Sequence, residues 1–262
     1  MQNHKSEFDA AGIELFAISY DSVDVLSTFA KAYGIEYPLL ADVGSNVIRE
    51  FGILNTLVDA AEEEYYGIPT PGSYLAGTDG RVVGKFFHRE YQVRETGATV
   101  LHAGFDLPID PASAIHDAVH TEGVSVRAEL AATALHTHQR AYVYVHLNLD
   151  EGLHVYGEPI PEGYAPTWVS TAATEGLVIG EPQYPATTPF SIEGLTEQFN
   201  VFGGDVKIAL PVTSEIREVG TAAIDVTVGY QACTDQMCYL PQRHILRIEV
   251  PTAPSVREAR KE

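Results

Sequence analysis

Two residues of this chain combine a reactive side chain with a suggestive spacing: Cys233 and Cys238, the only cysteines among 262 residues, in the segment 230–241 (YQACTDQMCYLP). Four intervening residues make a turn that can bring two Cβ atoms within the ~3.5 to 4.5 Å that a disulfide needs. As a staple, such a bond contributes little. Closing a six-residue loop is worth about 2 kcal/mol by the chain-entropy argument, against ~4.7 for a hundred-residue loop. A bond that opens and closes without unfolding its domain suits so small a loop better. Two other uses stay open: a pair of reduced thiols, and a zinc site completed by histidines.

Histidine is plentiful, at 10 residues, but its spacing is only suggestive. His116 and His120, four apart, are expected to share a helix face, and His136 and His138 a strand face. Both spacings permit metal binding, yet neither pair has thiols or carboxylates at ligand distance along the chain. All four read as solvated surface histidines. The acidic run 62–64 (EEE) reads as a solvated loop. No metal, nucleotide or flavin cofactor is implied.

The elements that must position these residues fall into two textures. From residue 12 to 87 apolar runs alternate with amphipathic stretches, the pattern of strands joined by crossover helices. Residues 13–19 (IELFAIS) suit a central strand covered on both faces. Residues 22–33 place Val25, Leu26, Phe29 and Ala32 on one helical stripe, with Ser22 as cap and Gly34 as stop. Residues 37–40 make a strand, 45–51 a helix, and 73–77 with 81–87 a hairpin around Thr78, Asp79 and Gly80. Beyond residue 124 the chain turns to short runs rich in Val, Ile, Thr and Tyr. Strands are expected over 124–130, 141–149, 167–171, 206–212, 222–230 and 244–250, the signature of an antiparallel sandwich. The boundaries are therefore an α/β domain over 1–105, a connector over 106–121 that includes the proline-bearing 106–113 (DLPIDPAS), and an all-β domain over 122–262.

Composition bounds the function classes. With 45% hydrophobic residues each half can bury a core, and a formal net charge of -20 repels phosphate backbones and anionic lipid, so nucleic acid is not an expected partner. No run reaches the roughly 18 to 20 apolar residues of a membrane span, and the first residues hold no apolar signal core.

Residues 16–42 (FAISYDSVDVLSTFAKAYGIEYPLLAD) and 67–85 (GIPTPGSYLAGTDGRVVGK) together resemble the redoxin group, the thioredoxin-like peroxiredoxins of the AhpC/TSA type. The resemblance covers about residues 1–100. It implies a thioredoxin-like domain and places Pro71 where that fold carries a cis-proline facing the active thiol, so a cis Thr70–Pro71 bond is expected. Redoxins carry their reactive cysteine on a strand and helix that precede the segment matched here, and this chain has no cysteine before Cys233. Peroxide reduction needs a thiolate, so this half as written is expected to lack peroxidase activity. An amino-terminally truncated redoxin is the expected explanation, with a degenerate scaffold domain as the alternative.

The cysteine segment, together with 148–156 (NLDEGLHVY) and 206–212 (VKIALPV), resembles the N-terminal periplasmic domain of the thiol:disulfide interchange protein DsbD, over roughly residues 122–250. That resemblance implies an immunoglobulin-like sandwich in which Cys233 and Cys238 form a redox-active disulfide. It sets His154 and Tyr156 beside the pair, with Tyr230 and Asp235 as further supporting residues. It also implies an aromatic-bearing cap, matched here by residues 184–204, with Phe190, Phe199 and Phe202 as the candidate shields. The function implied is a thiol:disulfide oxidoreductase that relays electrons to thiol/disulfide partner proteins; which cysteine is attacked first stays open, with Cys238 expected to form the mixed disulfide. The resemblance places such a relay in a periplasmic or other extracytoplasmic compartment. The alternatives are a truncated peroxiredoxin-type antioxidant protein and a non-catalytic protein-binding module.

Overall fold

The computed structural model describes residues 1–59, 61, 66–109, 114–191 and 197–255, and the chain divides into two units, Met1–Asp106 and Leu107–Glu262. The acidic run 62–64 lies outside the described residues.

The first unit begins with a short helix, α1 (Lys5–Ala10), which buries Phe8. β1 (Ala17–Ser19) follows, then α2 (Val23–Tyr33) and β2 (Leu39–Ala41), which pairs with β1 in parallel through a helical crossover. Ser22 starts α2 because its hydroxyl accepts the Val25 amide at 3.4 Å, and Gly34 stops it by taking a left-handed conformation at φ 60°. α3 (Asn46–Glu50) comes next. Asp42 caps it with both carboxylate oxygens, Oδ1 accepting from the Asn46 amide at 3.0 Å and Oδ2 from Ile48 at 2.9 Å. The hairpin of β3 (Gly72–Ala76) and β4 (Val82–Phe87) closes through a turn in which Asp79 Oδ1 accepts the Arg81 amide and Gly80 sits at φ 77°. The unit ends with β5 (Arg94–Glu95), α4 (Gly97–Thr99) and a π-helical turn, Val100–Gly104, which buries Val100 and Leu101.

Two expectations for this unit need correction. The run 13–19 forms a strand only over β1, and Phe16 and Ile18 are exposed. An apolar run is covered only where neighbours exist, and among the described residues β1 pairs with β2 alone. The expected cis Thr70–Pro71 bond is trans; the cis bond among the described residues is Glu158–Pro159. The segment before β3 is held extended by the bridge of Leu54 with Pro69 and by the Thr70 amide donating to Ile53, and trans is the favoured X–Pro isomer unless packing selects otherwise.

The second unit is built of strands: β6 (Ile115–Thr121), β7 (Val124–Leu130), β8 (Leu135–His136), β9 (Gln139–Leu149), β10 (His154–Gly157), β11 (Trp168–Ala173), β12 (Leu177–Ile179), β13 (Thr188–Ser191), β14 (Gln198–Gly203), β15 (Asp205–Ser214), β16 (Gly220–Tyr230), β17 (Ala232–Cys233) and β18 (Gln242–Ala253). One sheet runs β12–β15–β9–β7–β6 and a second β11–β16–β18–β8. The alternate residues Val143, Val145 and Leu147 of β9 pack in one core with Ile224, Val226 and Val228 of β16, all fully buried. A third, small sheet, β13–β14–β10–β17, carries the cysteine segment.

β6 lies inside the segment expected to be a connector; Pro108 and Pro111 hide a strand that begins soon after them. His116 and His120 therefore sit exposed along a strand, not on a helix face. His138 lies beyond the end of β8 at φ 63°, so it does not share a strand face with His136, whose Nδ1 is 2.9 Å from the Pro254 carbonyl. Residues 110–113 lie outside the described residues.

Candidate functional site

Alternation along β10 gives that strand two jobs. Val155 points into the main core, where its register partner Phe202 also packs, while His154 and Tyr156 point to the opposite face. There the pairing of β10 with β17 sets His154 directly opposite Cys233. The chain then folds back on itself: the Thr234 amide donates to the Met237 carbonyl at 2.8 Å, and Tyr239 to Ala232 at 2.9 Å. Thr234 Oγ1 accepts the amides of Gln236 and Met237, so a hydroxyl inside the turn fixes its shape. Cys233 and Cys238 are thereby bridged, with Cα atoms 4.0 Å apart and the sulfurs bonded.

The two sulfurs differ in access. Cys233 has no exposed surface, whereas Cys238 is an exposed residue of the turn. Cys233 is part of a cluster with Tyr156, Phe199 and Val201, against which Ile160, Tyr164 and Phe190 pack. The Tyr156 hydroxyl donates to Cys238 Sγ at 3.6 Å, and its ring meets those of Tyr164 at 5.3 Å and Phe199 at 5.5 Å. Burial pushes the Tyr156 phenol above its ordinary pKa, with Tyr164 adding to the shift. A neutral phenol beside sulfur is a hydrogen-bond donor to it.

His154 is 7% exposed, its ring 4.5 Å from Phe190 and 5.6 Å from Tyr156. Burial lowers its pKa, and the carboxylate of Asp235, exposed in the turn, pulls it partly back. Its Nε2 is buried and meets no hydrogen-bond partner among the described residues.

Of the residues expected around the pair, the structure brings together His154, Tyr156, Phe190 and Phe199, with Asp235 acting through its charge. Two stand elsewhere. Phe202 faces the main core, with Tyr184 stacked on it at 6.4 Å, so it does not shield the disulfide; strand parity, invisible without the register, decides this. Tyr230 also belongs to the main core, and its hydroxyl bonds Thr121 Oγ1 at 2.9 Å. Part of the expected cap, 192–196, lies outside the described residues. Sequence reasoning missed Tyr164, which sits in an irregular stretch with no periodicity to flag it, and Val201, which the period of two from Phe199 predicts. Among the described residues no three His, Cys, Asp or Glu side chains converge as metal ligands would, and no helix is long and apolar enough to cross a membrane.

Two family models match separate stretches of the chain. Residues 124–249 match the family model of the thiol:disulfide interchange protein DsbD, N-terminal, and residues 1–85 that of the AhpC/TSA family. Peroxiredoxin-like proteins from two strains of Mycobacterium tuberculosis, CDC 1551 and H37Rv, are 28% identical over 100 residues, 37% of this chain and 57% of theirs. The chain thus spans little more than half the length of those relatives. Among solved structures, the N-terminal periplasmic domain of ScsB from Proteus mirabilis matches with a TM-score of 0.40 at 12% identity, covering 56% of this chain and 57% of that one. The reduced N-terminal domain of DsbD from Neisseria meningitidis matches with a TM-score of 0.32 at 17% identity, covering 50% and 87%. Residues 1–85 are thus similar to the thioredoxin-like redoxins of the AhpC/TSA family and residues 124–249, in the all-β unit, to the DsbD N-terminal domain, both of them families of thiol–disulfide redox chemistry.

Proposed function

We propose that this chain is a thiol:disulfide exchange protein that relays electrons between partner proteins through Cys233 and Cys238. The observation that carries this reading is the asymmetry of the pair, one sulfur sealed in an aromatic cluster and the other exposed at a turn. An exposed sulfur admits one attacking thiolate, and a sealed one stays out of reach of adventitious thiols until the exchange has begun. The small loop adds to the argument, since opening a six-residue ring releases little folding energy.

In the relay, a partner's thiolate attacks Cys238 Sγ, the Cys233–Cys238 bond breaks, and the electron pair goes to Cys233. The partner's second thiolate then attacks its own sulfur in the mixed disulfide, leaving as a disulfide, and the chain is left with two thiols and two more electrons. Those electrons pass to the next disulfide by the reverse sequence. The partners are thiol/disulfide proteins, and the setting is an oxidising, extracytoplasmic compartment. The first unit contains no cysteine, so the chemistry rests on the second.

The test is the redox equilibrium of the pair, read by alkylation and mass spectrometry across buffers of defined potential. A reversible transition between about -270 and -120 mV is expected, the range of known exchange proteins. A pair that stays oxidised well below about -300 mV is a structural staple, and the relay reading falls.

A further inference from the structure

We propose that His154, as an imidazolium, holds the thiolate left on Cys233 when the disulfide opens. The inference rests on the relay reading and assigns this chain's own means of handling charge within it. When the disulfide opens, a negative charge appears on a sulfur with no exposed surface, in a cluster of aromatic and aliphatic side chains. A charge there is costly unless a partner of opposite sign stands beside it. His154 is the cross-strand register partner of Cys233, and directly opposed residues of an antiparallel pair project from the same face with Cβ atoms roughly 4.5 to 5.5 Å apart. It is more than nine-tenths buried, and its Nε2 has no hydrogen-bond partner among the described residues. A buried polar atom without a partner costs free energy, and a group used in only one state of the protein explains why the cost is borne in the other.

The groups that face His154 fit this assignment. Phe190 of β13 is apolar, and the Tyr156 phenol on its own strand donates to Cys238. From the cysteine turn come Cys233 and Asp235, whose carboxylate favours a charged imidazole. In the disulfide form burial favours the neutral imidazole over the charged one. Charge and atoms balance. The partner's thiolate gives its sulfur to the new bond with Cys238, Cys233 receives the electron pair from the bond that breaks, and His154 takes up its proton from solvent. The imidazolium and the thiolate then form a buried pair, each raising the stability of the other's charged form.

The experiment uses the full chain with Cys238→Ser, so that Cys233 is the one thiol, and follows the ultraviolet absorbance of its thiolate against pH. Adding His154→Phe, which keeps an aromatic ring and removes the base, is expected to raise the titration midpoint by about one pH unit or more. His154→Gln should raise it similarly, and it carries the test under the same criterion if the phenylalanine variant does not fold. Midpoints that coincide with and without the imidazole overturn the proposal. With both cysteines present, a pair that opens reversibly while the midpoints coincide overturns the role of His154 alone. A pair that never opens reversibly overturns the relay and, with it, this inference.

Discussion

At the scale of single residues, the unequal exposure of the two sulfurs predicts unequal reactivity. In the reduced chain Cys238 should be alkylated at least about tenfold faster than Cys233 under native conditions, a factor that ~1.4 kcal/mol of local opening is enough to produce. The same asymmetry decides trapping. Cys233→Ser leaves the exposed sulfur without its resolving partner and should accumulate a mixed disulfide with a disulfide-bearing protein or a small disulfide reagent. Cys238→Ser should accumulate little. Peptide mapping after a short alkylation pulse measures the first effect and non-reducing electrophoresis the second; equal rates at the two cysteines would show that the cluster formed by Tyr156, Phe199 and Val201 does not screen Cys233.

At the scale of elements, local signals were read well wherever they are self-contained. The Ser22 cap and Gly34 stop frame α2 as expected, and the strand expected over 124–130 is β7, residue for residue. Asp42 shows what was missed. Nothing in its neighbourhood marks it as the residue whose two oxygens cap α3, because the capping residue stands four and six positions before the amides it accepts. Those amide hydrogen bonds, chiefly that from Ile48, hold its carboxyl below the usual carboxylate range, and Arg49 contributes further. A depressed carboxyl pKa stabilises the fold above the unfolded-state pKa, and that stability is lost as pH falls through the folded-state value. Asp42→Ala should therefore destabilise the first unit at neutral pH, and the gap from the unsubstituted chain should narrow steadily as the solution is acidified below the ordinary carboxylate range. Urea unfolding at a series of pH values measures it, and a gap that widens on acidification would show that the carboxylate is not what stabilises α3. In the second unit the long central strands were legible from their apolar content. β12, β13 and β14 were not, because each is short and its neighbours, not its own pattern, make it a strand. The same limit applies to the site. The pair, His154 and Tyr156 were legible from local sequence and resemblance, but the face that Phe202 occupies depends on its pairing with Val155.

At the scale of the whole molecule, a net charge of -20 makes the surroundings of the exposed sulfur hostile to anions, and Asp235 sharpens this at the turn itself. A cationic small thiol should reduce the pair faster than an anionic one, relative to their reactivity toward a neutral small disulfide. The preference should be several-fold at ~10 mM ionic strength and close to none at ~1 M, where the Debye length falls to about 3 Å. Rates measured against salt test it, and a preference that survives high salt would point to a specific contact instead of the overall field. One feature of the cysteine turn reaches beyond the chemistry. Its shape is held by the Thr234 hydroxyl and by the backbone bond from Tyr239 to Ala232, neither of which depends on the sulfur–sulfur bond. If the proposed relay holds, the turn is therefore expected to keep nearly the same outline whether the disulfide is open or closed. A partner in that relay would then find no difference of shape to read, and its docking and departure would be timed by the making and breaking of the one covalent link.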